Sequence, residues 1–426
     1  MPVHVTHVPA AAPALGTPED AAAWLGTEWR NILRAARHAG DHEWKRKCAD
    51  LTHVLADFIQ IQAYWDEAIT AHTVALQAAR DLADPARIAQ AALELGAVRQ
   101  QAGGHEAALA LAQEAAAIYQ SVADQAGEAE ALDQIGMVHL RATRSREALA
   151  HFDEARILYQ AAASQRGIAD TLSHSGIASW HLGRCAEATA HLQDALSVYR
   201  GIGDRRGEAK TLNNLGKIYL YSGYHRDALD AYQGSLRIFR EIGGAQNEAI
   251  LYHAIGAVHH YKGSYEEGLA AYRRALAIYR GIGDLLDEAD VLNDIGAVYQ
   301  SASCCDEALV YHQKAQLIAE EIGNSSQRLI AMRKIADIRR GSGQYGDAFD
   351  HYHSALRLAR EVGDPYEEGK ILEGIAESTV STQRPSAARI FFRQALDIFE
   401  RLGVPEAESA RIRIETLDPA FGRRIS

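Results

Sequence analysis

The chain repeats itself at a fixed interval. Residues 212–244, LNNLGKIYLYSGYHRDALDAYQGSLRIFREIGG, return in a close variant at 252–284, YHAIGAVHHYKGSYEEGLAAYRRALAIYRGIGD. Aligned on one position, the copies give Leu95-Gly96, Ile135-Gly136, Ser175-Gly176, Leu215-Gly216, Ile255-Gly256, Ile295-Gly296, Ile335-Ala336 and Ile375-Ala376, a constant step of 40. Twelve residues after each small residue comes another: Ala108, Ala148, Ala188, Ala228, Gly268, Ala308, Ala348 and Ala388. A third small series runs through Ala115, Ala155, Ala195, Ser235, Ala275, Ala315, Ala355 and Ala395. A spacing that never slips leaves no room for insertions. One unit cannot bury its apolar face alone, so neighbours must stack at a constant offset to share a continuous core.

Within the unit, Ala209, Leu212, Leu215 and Tyr219 fall at helical spacing, as do Ala228, Tyr232, Ser235, Leu236 and Phe239. Each unit therefore reads as two helices. Gly223 separates them and Gly243 follows the second, where a backbone able to adopt positive φ ends a helix at low cost. Small residues at facing positions let the helices approach closely, so a large side chain at Ala228 is expected to overpack by roughly 1–3 kcal/mol. In GDPYEEG, Asp364 can cap a helix, Pro365 takes the first helical position and Glu367 completes a capping-box pattern. Asp84-Pro85 and Thr17-Pro18 repeat the arrangement, and Pro385 and Pro405 also fall at inferred helix starts.

This pattern resembles the tetratricopeptide repeat, in which a small residue follows a Leu on the first helix and Ala recurs on the second. The resemblance covers about residues 41–410 and implies an all-α fold, a right-handed superhelical solenoid of antiparallel helix pairs. The unit here is six residues longer, and the excess, as in GDRRGE at 203–208, is expected to lengthen the first helix and its turn. Departures are Ala336 and Ala376 in place of Gly, Gln383 where an inter-helix Gly is expected, and Ala319 and Ala359 where earlier copies carry Tyr or Phe. Leu55-Ala56, Ala68 and Ala75 keep the offsets one step upstream, giving a ninth, degenerate repeat. The expected organisation is an extended segment at 1–16, a capping helix at 17–40 carrying Trp24 and Trp29, the repeats at 41–410, and the end of a C-terminal cap with a tail at 411–426.

A net charge of -12 and a pI near 5.9 do not advertise a surface for phosphate backbones, so no direct nucleic-acid partner is expected. Cys48, Cys185, Cys304 and Cys305 show no metal-binding spacing. With no signal-peptide pattern and no run of membrane-spanning length, the expected location is the cytoplasm, without membrane contact. No P-loop, dinucleotide fingerprint, nucleophile elbow or H-E-x-x-H occurs. The expectation is a non-enzymatic protein with no cofactor. His253, His259 and His260 lack a matching ligand set for a metal, and His259 sits where Tyr219 and Tyr299 point inward.

Positions that stay constant are explained by packing, so function is sought in those that vary. The family resemblance implies that the first helices line a concave groove. One row there reads Asp133, Ser173, Asn213, His253, Asn293, Arg333 and Glu373, a polar ladder able to hydrogen-bond an extended peptide. Other rows add Lys217, Trp180, His181, Leu220, Tyr221, His260, Tyr261, Gln300, Ser301 and Arg340. Met137, Leu140 and Ile177 are expected to form an apolar floor, although Trp180 and Leu220 can equally pack between helices. Arg333, Arg340 and Lys370 stand with Asp337, Glu373 and Glu377, a mixed set rather than a carboxylate clamp.

Residues 17–76 look like the junction that introduces the C-terminal repeats of antibiotic-regulatory proteins of actinobacteria, in which a winged-helix domain and a nucleotide-binding NB-ARC switch precede the repeats. That resemblance implies a sensor that binds an effector and biases an attached switch. A constitutive protein adaptor and a small-molecule-binding accessory protein of a biosynthetic pathway are the alternatives. The expected partner is a protein or peptide in the groove, with a small-molecule effector as the other candidate, and a stack end can also pair two copies into a homodimer.

Overall fold

The computed structural model describes residues 18–42, 44–48, 50–52, 55 and 65–417. The expected segment 1–16, the Thr17 cap, Ala56 of the expected ninth repeat and the part of the expected 411–426 segment after residue 417 lie outside these residues. The described chain is helical, with no strand among the described residues. It divides into two compact units, Met1–Ile218 and Tyr219–Ser426.

In the first unit, α1 (Pro18–Asp41) is followed by α2 (Trp65–Asp81), α3 (Pro85–Gln101), α4 (His105–Ser121), α5 (Gln125–Arg141), α6 (Ser145–Ala161), α7 (Gln165–His181) and α8 (Cys185–Ile202). Helix α9 (Arg205–Tyr221) runs across the division. The second unit continues with α10 (His225–Ile242), α11 (Ala245–Tyr261), α12 (Tyr265–Ile282), α13 (Leu285–Ser301), α14 (Cys305–Glu321), α15 (Ser325–Gly341), α16 (Tyr345–Val362), α17 (Pro365–Ser381), α18 (Pro385–Leu402) and α19 (Glu406–Thr416). The pairs α3–α4, α5–α6 and α7–α8 pack in the first unit, and α11–α12, α13–α14, α15–α16 and α17–α18 in the second. Successive first helices also touch, α3 with α5 and α5 with α7, and α11 with α13, α13 with α15 and α15 with α17. They therefore build a common face in each unit.

The added length is not confined to the first helix: α5, α6 and α7 have 17 residues each and α8 has 18, so both helices of a unit share it. A left-handed residue recurs in the turns, at Gly223 (φ 80°) and Gly243 (φ 78°) as expected. At Gly223 the amide of Tyr224 reaches the carbonyl of Tyr219 (2.8 Å), closing the helix end. The same conformation is imposed on Ala83, Ala123, Thr143, Ala163, Ser303 and Gln383. Several first helices are capped by side chains, with Asp124, Asp284 and Asp364 accepting from amides three residues on, whereas α11, which follows Gly244, and the second helices α4, α6, α8 and α12 have no side-chain cap. The expected capping box at Asp364 is only half formed. Glu367 gives its amide to Asp364 (3.0 Å), but its carboxylate goes to Arg333.

Close packing explains the small series: Ala108, Ala148, Ala188, Ala228, Ala308, Ala348 and Ala388 are fully buried. A ring or Leu on the second helix covers the glycine of the first. A Cβ at Gly136 would stand 2.4 Å from Phe152, at Gly176 2.7 Å from Leu192, at Gly256 2.7 Å from Tyr272 and at Gly296 2.7 Å from His312. Where Ala336 replaces glycine, Tyr352 lies instead against Gly374, whose Cβ would be 2.5 Å from it. A second set of rings closes the seam between one pair and the next: Tyr159 lies on Gly167 and Tyr199 on Gly207, each 2.4 Å from where a Cβ would be. Ala319 and Ala359 lack that ring, and the opposite positions carry Gln327 and Glu367, both 7% exposed. At one end, Trp29 and Leu33 of α1 are buried with Ala68 and Ala71 of α2; at the other, α19 packs on α18.

Candidate functional site

The face made by the first helices carries the rows singled out by the repeat. In the first unit, Asp133 Oδ1 on α5 and His174 Nδ1 on α7 are 2.9 Å apart, a pairing between successive first helices. Burial works against charge on His174, but the Asp133 carboxylate, with Asp170 behind it, more than offsets this and raises its pKa. Tyr199 donates to Asp170. Gln134 donates to the Leu93 carbonyl (2.9 Å). Ser173 is buried. Leu140 is in the core with Phe152, where Met137 and Ile177 also pack, so the expected apolar floor is largely internal. Trp180 is half-buried beside the exposed His181, with ring centroids 5.4 Å apart. Asn213 is half-buried and Lys217 exposed on α9.

In the second unit, His253 Nε2 and Asp294 Oδ2 are 2.6 Å apart, the same inter-helix pairing with the acid and base exchanged. His260 meets the Ser301 hydroxyl (2.9 Å) and stacks on Tyr261 at 6.2 Å. Asn293 turns inward, its Oδ1 2.9 Å from Nδ1 of the buried His312. Burial, with Lys334 nearby, pushes His312 down to about 4. Arg333 is held by Glu367 (2.5 Å) and Asp337 (2.9 Å). Arg340 pairs with Glu377 (2.7 Å), and Tyr352 donates to Asp337 (2.6 Å). Lys370 pairs with Glu373 (2.9 Å). These charges answer one another. Gln300 is half-buried, while Tyr221 and Tyr261, one repeat apart, are 70% and 69% exposed.

The row two residues before the small position, with Gln134, His174 and Asp294, was missed. Its signal was a spacing of 41 between acid and base, from Asp133 to His174 and from His253 to Asp294. No group of three or more metal-ligating side chains occurs among the described residues. No helix among them is long and apolar enough to cross a membrane.

The profile of the tetratricopeptide repeat family matches residues 87–161, 167–241, 225–281, 247–321, 287–361 and 327–401. The chain belongs to this family. No curated protein sequence matches it. Among solved structures, it is similar to a signal transduction ATPase with numerous domains, a protein with a tetratricopeptide repeat sensor from Pyrococcus horikoshii (TM-score 0.60, 16% identity, 79% of this chain and 51% of that one). It is also similar to the apo form of the quorum sensor NprR from B. thuringiensis (TM-score 0.55, 15% identity, 88% and 99%). A third similar structure is a Rap protein complexed with competence and sporulation factor (TM-score 0.50, 16% identity, 80% and 99%). At these identities the likeness shows a shared fold.

Proposed function

We propose that the chain is a non-enzymatic binding module that takes a protein or peptide partner on the face of its first helices, and that it serves as the effector-sensing region of a transcriptional regulator of secondary metabolism. The observation that carries the binding reading is the pair Tyr221 and Tyr261. At equivalent positions of successive repeats, each leaves about 70% of a large amphipathic side chain exposed, beside the His260–Ser301 contact. Exposed tyrosines combine contact area, low conformational entropy and a hydroxyl, which suits them to anchor a partner. The resemblance of residues 17–76 to the junction in actinobacterial regulators supports the regulatory part. So does the shared fold with an ATPase that carries a repeat sensor.

The test is affinity purification from the source cells, with the chain and its Tyr221→Ser/Tyr261→Ser variant as parallel baits, read by mass spectrometry. Under this reading, a regulator or peptide retained by the parent is lost from the variant while helicity is unchanged. Equal retention by both baits would reject the tyrosine face as the binding surface.

A further inference from the structure

A second candidate site lies away from that row of tyrosines, in a cleft of about 400 Å³ formed by α14, α15 and α16. Its floor includes Met332 and Leu358, and Gln316, Ser354, Arg357 and Glu361 stand around it. The volume falls within the range of small-molecule pockets, which typically join an apolar floor to a few placed polar groups.

Three departures from the repeat converge here. Position 316 is Leu in five other copies (Leu196, Leu236, Leu276, Leu356 and Leu396) but Gln in this one. Four other junctions tie an Arg at the end of a second helix to a Glu eight residues on, as in Arg200–Glu208 (2.8 Å), Arg280–Glu288 (2.7 Å) and Arg360–Glu368 (2.8 Å). Here the pair is reversed to Glu320–Arg328 (3.0 Å), which places the arginine at the cleft. Met332 replaces the Leu of Leu212, Leu292 and Leu372. Neighbouring copies keep the usual residues at these positions, so the three changes are particular to this junction.

The charges then sort themselves. Glu320 accepts from Gln316 (3.2 Å) and forms an ion pair with Arg328 (3.0 Å), so the carboxylate is already engaged on its own side of the cleft. Arg357 and Glu361, on one face of α16, enter no ion pair among the described residues. We infer that this cleft binds a small zwitterion with an apolar body, of the class of a free hydrophobic amino acid: its carboxylate on Arg357, its ammonium on Glu361, and its side chain over Met332 and Leu358.

Three probes with one phenyl body separate the contributions: L-phenylalanine, 3-phenylpropanoate and phenethylamine, titrated into the full chain by calorimetry. The expected result is saturable one-to-one binding of phenylalanine, with each single-charge analogue at least tenfold weaker. Arg357→Met should erase the advantage over phenethylamine, and Glu361→Gln the advantage over 3-phenylpropanoate. Both substitutions are at exposed positions, and unchanged helicity would establish that the variants fold. No saturable binding of phenylalanine, equal binding of all three probes, or affinities indifferent to both variants would overturn the inference.

Discussion

In the first unit, the seam between one helix pair and the next is a ring laid on a glycine, Tyr159 on Gly167 and Tyr199 on Gly207. At two junctions of the second unit, the same two positions read Ala319 with Gln327 and Ala359 with Glu367. The first solution is mostly apolar. The second brings in a polar side chain that must be paired once buried, so Gln327 donates to the Leu286 carbonyl (3.1 Å) and Glu367 holds Arg333. A position that varies between copies is therefore not automatically free for a ligand. Arg333 stood out as a groove residue because it varies, yet its guanidinium compensates a change in the seam. Tyr221 and Tyr261 also vary between copies, and they differ from Arg333 in leaving most of the ring exposed, which makes them better candidates for recognition.

The largest effect should come from breaking the polar seam. Arg333 and Glu367 have side chains only 12% and 9% exposed, so Glu367→Ala would leave Arg333 with Asp337 alone. Removing one member of a buried pair costs about 3 kcal/mol or more, readable as a shift in the urea midpoint. A loss below about 1 kcal/mol would show that Asp337 suffices. A similar magnitude is expected from acid at His312, the polar ring that stands where Phe152 and Phe392 lie in other copies. Its pKa is near 4 when folded, against about 6.5 for a free imidazole. Between these values the unfolded chain binds the proton and the folded chain does not, so stability falls as pH drops from about 6.5 to 4, by up to about 3 kcal/mol. The difference in unfolding free energy between the parent and His312→Phe, followed across that window, isolates this contribution.

Breaking the apolar seam should cost less. Gly207→Ala drives a methyl into the Tyr199 ring and is expected to lose roughly 1–3 kcal/mol. Gly96→Ala meets no ring, its nearest neighbour being a Gln134 side-chain atom at 3.1 Å, and should be close to neutral. Thermal unfolding of the two variants side by side tests whether the ring sets the penalty. Exchanging the solutions sharpens the comparison: Ala319→Tyr alone should destabilise, and adding Gln327→Gly should recover part of the loss. A double-mutant cycle should give a coupling of about 1 kcal/mol, and a value near zero would mean that the two positions do not share one space.

Much of the fold was legible because it depends on spacing. The small series, the paired helices and the glycine turns all follow from one constant step. The seam was legible only in part: the missing rings at Ala319 and Ala359 were visible, but Glu367 read only as part of a cap and Gln327 was not singled out, because the partners of both are distant in sequence. The expected groove rows lie on first helices, yet spacing could not tell that Asn293 would turn to His312 or that Leu140 would sink into the core. Those choices depend on the neighbouring helix, and a register of single positions does not contain it.

The turns offer the gentlest test. Left-handed backbone falls on Ala83, Ala123, Thr143 and Ala163 in the first unit but, outside glycine, only on Ser303 and Gln383 among the described residues of the second. A side chain at positive φ brings Cβ close to the following carbonyl, a strain of about 1–2 kcal/mol that glycine avoids. Glycine also loosens the unfolded chain, which returns about 0.4–1 kcal/mol of that gain. Ala163→Gly, at φ 52°, should therefore stabilise by about 0.5–1 kcal/mol. Gly183→Ala, at φ 74° in a turn of the same unit with nothing within 4 Å of the added methyl, should lose a similar amount through backbone strain alone. Chemical unfolding of both variants would decide the matter, since equal and opposite shifts are expected only if conformation, and not contact, governs these turns.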